Sequence, residues 1–147
     1  MKKILISFLS LILFTGCDSD GHIQKRNYLR SLSVDGDNIT MVFFNDDTLN
    51  FNSDISSAKY TAEKLTGNEI FTGHTELIIL GDCDKKNILT FMIEKWKVSP
   101  DCIIIFGNEN ILSEKNTDDI TGMIKIKEKN HEIPKADIIS TLSRILN

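Results

Sequence analysis

Thr75-Glu76-Leu77-Ile78-Ile79-Leu80 and Cys102-Ile103-Ile104-Ile105-Phe106 are the most apolar runs of the chain beyond its N-terminus. Both are apolar on successive residues rather than alternate ones, which is the pattern of strands covered on both faces. Between them Gly81-Asp82 opens a segment from Asp84 to Lys97 in which Ile88, Leu89, Met92, Ile93 and Trp96 share one helical face. Two buried strands joined by a helix predict a right-handed parallel crossover.

Upstream, Tyr28 to Val34 alternates, with Leu29, Ser31 and Ser33 assigned to one side and Tyr28, Arg30, Leu32 and Val34 to the other. Asp35-Gly36-Asp37-Asn38 is a turn signal, and the β-branched and aromatic run Ile39 to Phe44 returns as the partner strand, ended by Asp46 and Asp47. A helix is expected over 54–66, capped by Ser53 or Asp54 and closed by Gly67, with Ile55, Ala58, Ala62 and Leu65 on one face. Downstream, a short helical turn at Ile111 and Leu112 precedes a helix over 117–127 capped by Thr117. Pro134 breaks the chain before a last helix over 135–146 with Ile138, Ile139, Leu142 and Ile145 inward. The fold class is therefore α/β. A mixed β-sheet combines an antiparallel hairpin (28–34 with 39–45) and a parallel βαβ crossover (75–80 with 102–106), with helices packed on the sheet. Leu32, Val42, Leu77, Ile79, Ile88, Met92, Ile104 and Leu142 are the expected core.

The 147 residues suit one domain, and 41% apolar with 26% charged residues is too apolar for a disordered chain. The formal charge of −4, with both signs mixed along the chain, argues against a nucleic-acid surface. With a single long apolar run, at the extreme N-terminus, a multi-pass membrane protein is excluded.

That N-terminus reads as a signal peptide. Met1-Lys2-Lys3 is followed by the uncharged run Ile4 to Phe14. Eleven helical residues span about 16 Å, half of the roughly 30 Å of a bilayer core, so the run fits a cleavable signal and not a permanent span. It ends in Thr15-Gly16-Cys17, which resembles a bacterial lipobox, with Phe14 bulkier than the usual aliphatic residue. In that chemistry the Cys17 thiol takes a diacylglyceryl group, and cleavage after residue 16 leaves Cys17 first. The resulting acyl chains, palmitate among them, contribute about 0.8 kcal/mol per buried CH₂ and hold the protein on a membrane. Loss of Lys2 and Lys3 leaves 15 basic against 21 acidic residues, a formal charge of −6. Residues 17–27 read as a polar tether that holds an acidic domain, 28–147, away from anionic lipid.

The remaining cysteines, Cys83 and Cys102, are not expected to pair. In a strand–helix–strand crossover they lie at opposite ends of the sheet, roughly 17 Å apart along a strand, whereas a disulfide needs Cα atoms within about 7 Å. Asp82-Cys83-Asp84 reads as a helix N-cap rather than a metal site, and neither a metal nor a cofactor is expected. The chain lacks GxSxG, Walker, HExxH and dinucleotide motifs. Of its three histidines, His22 falls in the tether and His131 in a polar loop. His74, just before a buried strand, is expected to hydrogen-bond the backbone there, with Glu76 on the same side. No catalytic set emerges, and the chain is read as a non-enzyme.

Phe71-Thr72-Gly73-His74-Thr75-Glu76-Leu77-Ile78-Ile79-Leu80-Gly81 resembles the Gly-His, apolar strand, Gly pattern of the Ger(x)C family, the C subunits of spore germinant receptors. The order of lipobox, hairpin, helix, Gly-His strand, helix and second apolar strand is similar as well. The family has Trp-Asp after the lipid cysteine where this chain has Asp18-Ser19, and its members run to more than twice this length, in three domains. The resemblance implies a lipid-anchored subunit on the extracytoplasmic face of the spore inner membrane, touching integral receptor subunits, with Gly73, His74 and Gly81 in structural roles. Five large apolar residues in the last helix make a stripe wider than one sheet contact needs. Exposure near Ile145 and Leu146, and a partner surface there, is expected.

Overall fold

The computed structural model describes residues 26–108 and 110–147. The N-terminal features, Cys17 among them, lie outside the described residues. Six strands form one mixed sheet: β1 (Arg26–Asp35), β2 (Asn38–Phe43), β3 (Thr48–Asn52), β4 (Glu69–Phe71), β5 (Leu77–Leu80) and β6 (Ile103–Phe106). The helices are α1 (Ile55–Thr66), α2 (Lys85–Phe91, running into a π-helical turn at Met92–Trp96), α3 (Asn110–Glu114), α4 (Thr117–Lys129) and α5 (Ile138–Leu146).

The sheet order is β3-β2-β1-β5-β6, with β4 pairing separately with β1. The hairpin is antiparallel, with Asp35 opposite Asn38 across a turn at Gly36, whose φ of 58° favours glycine. β5 and β6 are parallel, Leu77 to Leu80 facing Ile103 to Phe106 in register, and the α2 segment makes the crossover. The sheet is thus the expected mixture of an antiparallel hairpin and a parallel pair.

All four residues of β5 are buried because helices cover both faces. Ile78, Leu80 and Ile104 join Leu32, Val34, Ile39, Met41 and Phe43 in the larger cluster under α1, α2 and α5, which contribute Ala58, Ala62, Ile88, Leu89 and Ile138. Leu77, Ile79 and Ile103 pack on the other face with Ile120 of α4. Six of the eight expected core residues are buried. Val42 is only half-buried, because Ile39, Met41 and Phe43 are the inward positions of β2. Leu142 packs at the edge of the larger cluster.

Several expectations are corrected. β3 and β4 extend the sheet beyond the four strands that the sequence predicts. β3 follows the turn at Asp46-Asp47, which ends β2 as expected, and pairs antiparallel with β2. β1 begins at Arg26, so Arg26 and Asn27 belong to the sheet and not to the tether. A register shift between Leu29 and Ser31 breaks the alternation of β1, so Leu29 shares the larger cluster with Leu32 and Val34. The segment 84–97 changes from α to π hydrogen bonding at Met92, whose carbonyl takes the Lys97 N–H. Asn116, not Thr117, caps α4, its side chain accepting the Asp119 N–H at 2.8 Å. α5 starts at Ile138 because the residues before it are tied to β6: Ala136 accepts the Ile104 N–H at 2.7 Å and Asp137 bridges Ile103. Leu65 is exposed although it shares the face of Ala58 and Ala62, because it lies in the last turn of α1, just before the Gly67 cap. Ile139 is exposed too, since Ile138 and Thr141 are the buried positions of α5.

Candidate functional site

The chain runs from β4 through Gly73-His74 into β5, and this passage is built by close packing. A Cβ on Gly73 would lie 2.9 Å from the tip of the Phe71 ring. Thr75 donates its hydroxyl to the Thr72 carbonyl at 2.7 Å, and Thr72 in turn donates to the Trp96 carbonyl, tying the passage to the π turn. At the far end of β5, a Cβ on Gly81 would collide with the Asp35 carboxylate, which accepts the Asp82 N–H at 2.8 Å. Gly73 and Gly81 are thus close-approach positions at the two ends of one strand. Asp84 caps α2 by accepting the Asn87 N–H at 3.1 Å, as expected of Asp82-Cys83-Asp84.

The His74 expectation is corrected. In place of a backbone hydrogen bond, its imidazole sits 5.3 Å from the Phe71 ring and 6.5 Å from the Tyr28 ring. Glu76 turns instead to Arg30, whose Nε donates to it at 2.9 Å. Arg30 also donates to Asp118 at the start of α4, and its guanidinium lies 5.4 Å from the centre of the Phe44 ring. Hydrogen bonds to Asp118 and then Glu76 raise the Arg30 pKa further above its ordinary range, so it is a fixed cation. Below it, the Ser31 and Thr117 hydroxyls meet at 2.6 Å. These contacts hold α4 against β1. The shift in β1 is what turns Arg30 and Ser31 together toward α4, a change of facing that no residue pattern marks.

Beside this hub is an open cleft of about 310 Å³ lined by His74, Glu76, Asp101, Asp118, Thr121 and Lys125, among others. Cys102 borders it but is almost fully buried, and burial pushes its thiol pKa well up, keeping it a protonated, unreactive thiol. Cys83 and Cys102 are both free, one after β5 and the other before β6. Burial raises the Cys83 thiol as well. Among the described residues no group of three His, Cys, Asp or Glu side chains is placed to hold a metal ion.

A second surface is apolar. On α5, Ile139 is 50%, Ile145 36% and Leu146 55% exposed, and Ile139, Leu142 and Leu146 line one shallow groove. The exposure expected at Ile145 and Leu146 is present, and it extends to Ile139. The structure therefore separates the residues singled out in the sequence. Gly73 and His74 lie at one end of β5, Gly81 lies at the other, and Ile145 and Leu146 are on a helix of the opposite layer. No helix among the described residues is long and apolar enough to cross a membrane. Comparison of the chain with protein-family models, curated proteins and solved structures gives no match.

Proposed function

We propose that the chain is a lipoprotein acylated at Cys17, held on the extracytoplasmic face of a bacterial membrane, that acts by protein–protein contact and not by catalysis. In the form the Ger(x)C resemblance implies, it is a germinant-receptor subunit that docks on integral partners in the spore inner membrane. The observation that carries the contact reading is the exposed stripe of Ile139, Ile145 and Leu146 on α5, since a contiguous apolar surface marks a partner site. The signal and Thr15-Gly16-Cys17 support the membrane location. The test is capture of the full lipoprotein from detergent-solubilised membranes through a tag inserted between Cys17 and Arg26. Co-purification of multi-pass proteins, lost in the Ile145→Ser/Leu146→Ser protein, supports the reading. Unchanged membrane association of the Cys17→Ala protein refutes the anchor.

A second reading is a solitary envelope lipoprotein that binds a small molecule or an unrelated protein; for the small molecule it draws on the cleft beside His74. Its volume of about 310 Å³ is at the lower end of the roughly 300–1,000 Å³ of ligand sites, and its lining is largely polar. A metabolite that raises the Tm of the wild-type protein but not of the His74→Ala/Lys125→Ala protein would favour it.

A further inference from the structure

The first residues of β1 gather an aromatic surface of which the readings above use only His74. Tyr28, Phe44 and Phe71 are 43%, 45% and 40% exposed. Tyr28 and Phe71 are register partners across β1 and β4, and their rings meet edge-on at 5.6 Å. His74 lies against both. Phe44 is brought alongside by its own N–H, which donates to the Tyr28 carbonyl at 3.1 Å. The cations around these rings are paired, and carboxylates are in excess, four against two. Arg26 meets Glu69 at 3.0 Å, and Arg30 meets Glu76 at 2.9 Å, Asp46 at 4.0 Å and also Asp118.

Apolar rings beside two with polar edges, Tyr28 and His74, have the chemistry of the bilayer interface, where apolar bodies enter the acyl boundary and polar ends stay among headgroups, and the excess of carboxylates around them selects zwitterionic over anionic lipid. The place of this surface in the chain selects lipid as its occupant. Arg26, at the head of β1, is nine residues from Cys17, a reach of roughly 30 Å at full extension. An anchor that close keeps the surface at high effective concentration over the membrane, so that a weak contact suffices. The patch adjoins the start of α4, in the layer opposite α5, so lipid contact leaves the Ile145 and Leu146 surface free.

The geometry points to a second, non-covalent membrane contact: the domain lies on zwitterionic lipid through Tyr28, Phe44, Phe71 and His74. This rests on the lipoprotein reading above. It narrows the expected stand-off to anionic lipid.

The test uses the full acylated chain reconstituted in phosphatidylcholine vesicles with brominated acyl chains. Trp96 is buried and supplies a constant background, measured with the wild-type protein. F71W is expected to lose emission and shift to the blue in brominated vesicles. Y60W, on the outer side of α1, is expected to do neither. F44W repeats the measurement should F71W fail to fold. If F71W and F44W in acylated protein are quenched no more than Y60W, lipid docking is refuted and the patch belongs to a protein partner. A chain without acyl mass on Cys17 that does not sediment with vesicles refutes the lipoprotein reading, and lipid docking with it. Mass and sedimentation thus tell the two failures apart.

Discussion

Gly81 rests directly on the carboxylate of Asp35, in a space that a single added methyl would fill. That approach joins the end of β1 to the end of β5 and lets Asp35 take the Asp82 N–H, just ahead of the cap of α2. Gly81→Ala should destabilise the domain by about 1–3 kcal/mol, the usual result of overpacking. In an Asp35→Ala background the same change should cost less. Denaturant unfolding of the four proteins of this cycle checks the coupling.

Two serines on the same face of β1 should respond differently to loss of the hydroxyl. The Ser31 hydroxyl is buried against Thr117, and Ser31→Ala leaves that threonine without its partner, a loss of about 1–2 kcal/mol. The Ser33 hydroxyl is buried with no hydrogen-bond partner among the described residues. Removing an unsatisfied hydroxyl should be neutral or stabilising by about 1 kcal/mol. Thermal unfolding of Ser31→Ala and Ser33→Ala, compared with the parent, decides it.

The cap of α1 sets a pH dependence. Hydrogen bonds from the hydroxyls of Ser56 and Ser57 hold the Asp54 carboxyl at about 2, below its ordinary value of 3.8. Its pKa is lower folded than unfolded, so its contribution is complete above the unfolded value and is lost as pH falls from about 3.8 toward about 2. Asp54→Asn keeps a capping side chain without the charge. Unfolding measured from pH 5 to pH 2 should therefore show a shallower acid loss in Asp54→Asn than in the parent.

On α5, substitution should separate surface from core. Ile145→Ser/Leu146→Ser should cost less than about 1 kcal/mol, as exposed positions do. Ile138→Ala, at a fully buried position of the larger cluster, should cost about 2–5 kcal/mol. Urea midpoints of the two proteins make the comparison; a loss of several kcal/mol in the double serine protein would make both residues part of the core.

The aromatic surface has its own control in Gly73. With the Phe71 ring in contact distance of where a Cβ would stand, Gly73→Ala should displace that ring and weaken its packing with Tyr28 and His74. Ring-current shifts of the His74 protons, read by NMR, should move toward random-coil values while the far-ultraviolet circular dichroism stays unchanged.

The periodicity of the chain determined by itself that β5 is buried on both faces, that a helix joins it to a second apolar strand and that a hairpin turns at Gly36. These follow from local rules: unbroken apolar runs, a helical stripe and a glycine where φ must be positive. β6, expected to be covered as fully, lies at the sheet edge with Ile105 half-buried and Phe106 exposed. Close-approach roles for Gly73 and Gly81 were legible only as a pattern, and their neighbours, Phe71 and Asp35, became known with the fold. Tertiary structure alone decided the rest. β4 has three residues, too few to carry a period, and exists because β1 offers it an edge. The register shift in β1 leaves no mark in residue type, yet it turns Arg30 toward Glu76 and Asp118 and brings Leu29 into the core. Tyr28 and the Phe71 and His74 rings that meet it come from separate stretches of chain, and the Phe44 backbone joins Tyr28 from a third, so this grouping depends on strand pairing across long sequence separations, which local propensity does not encode.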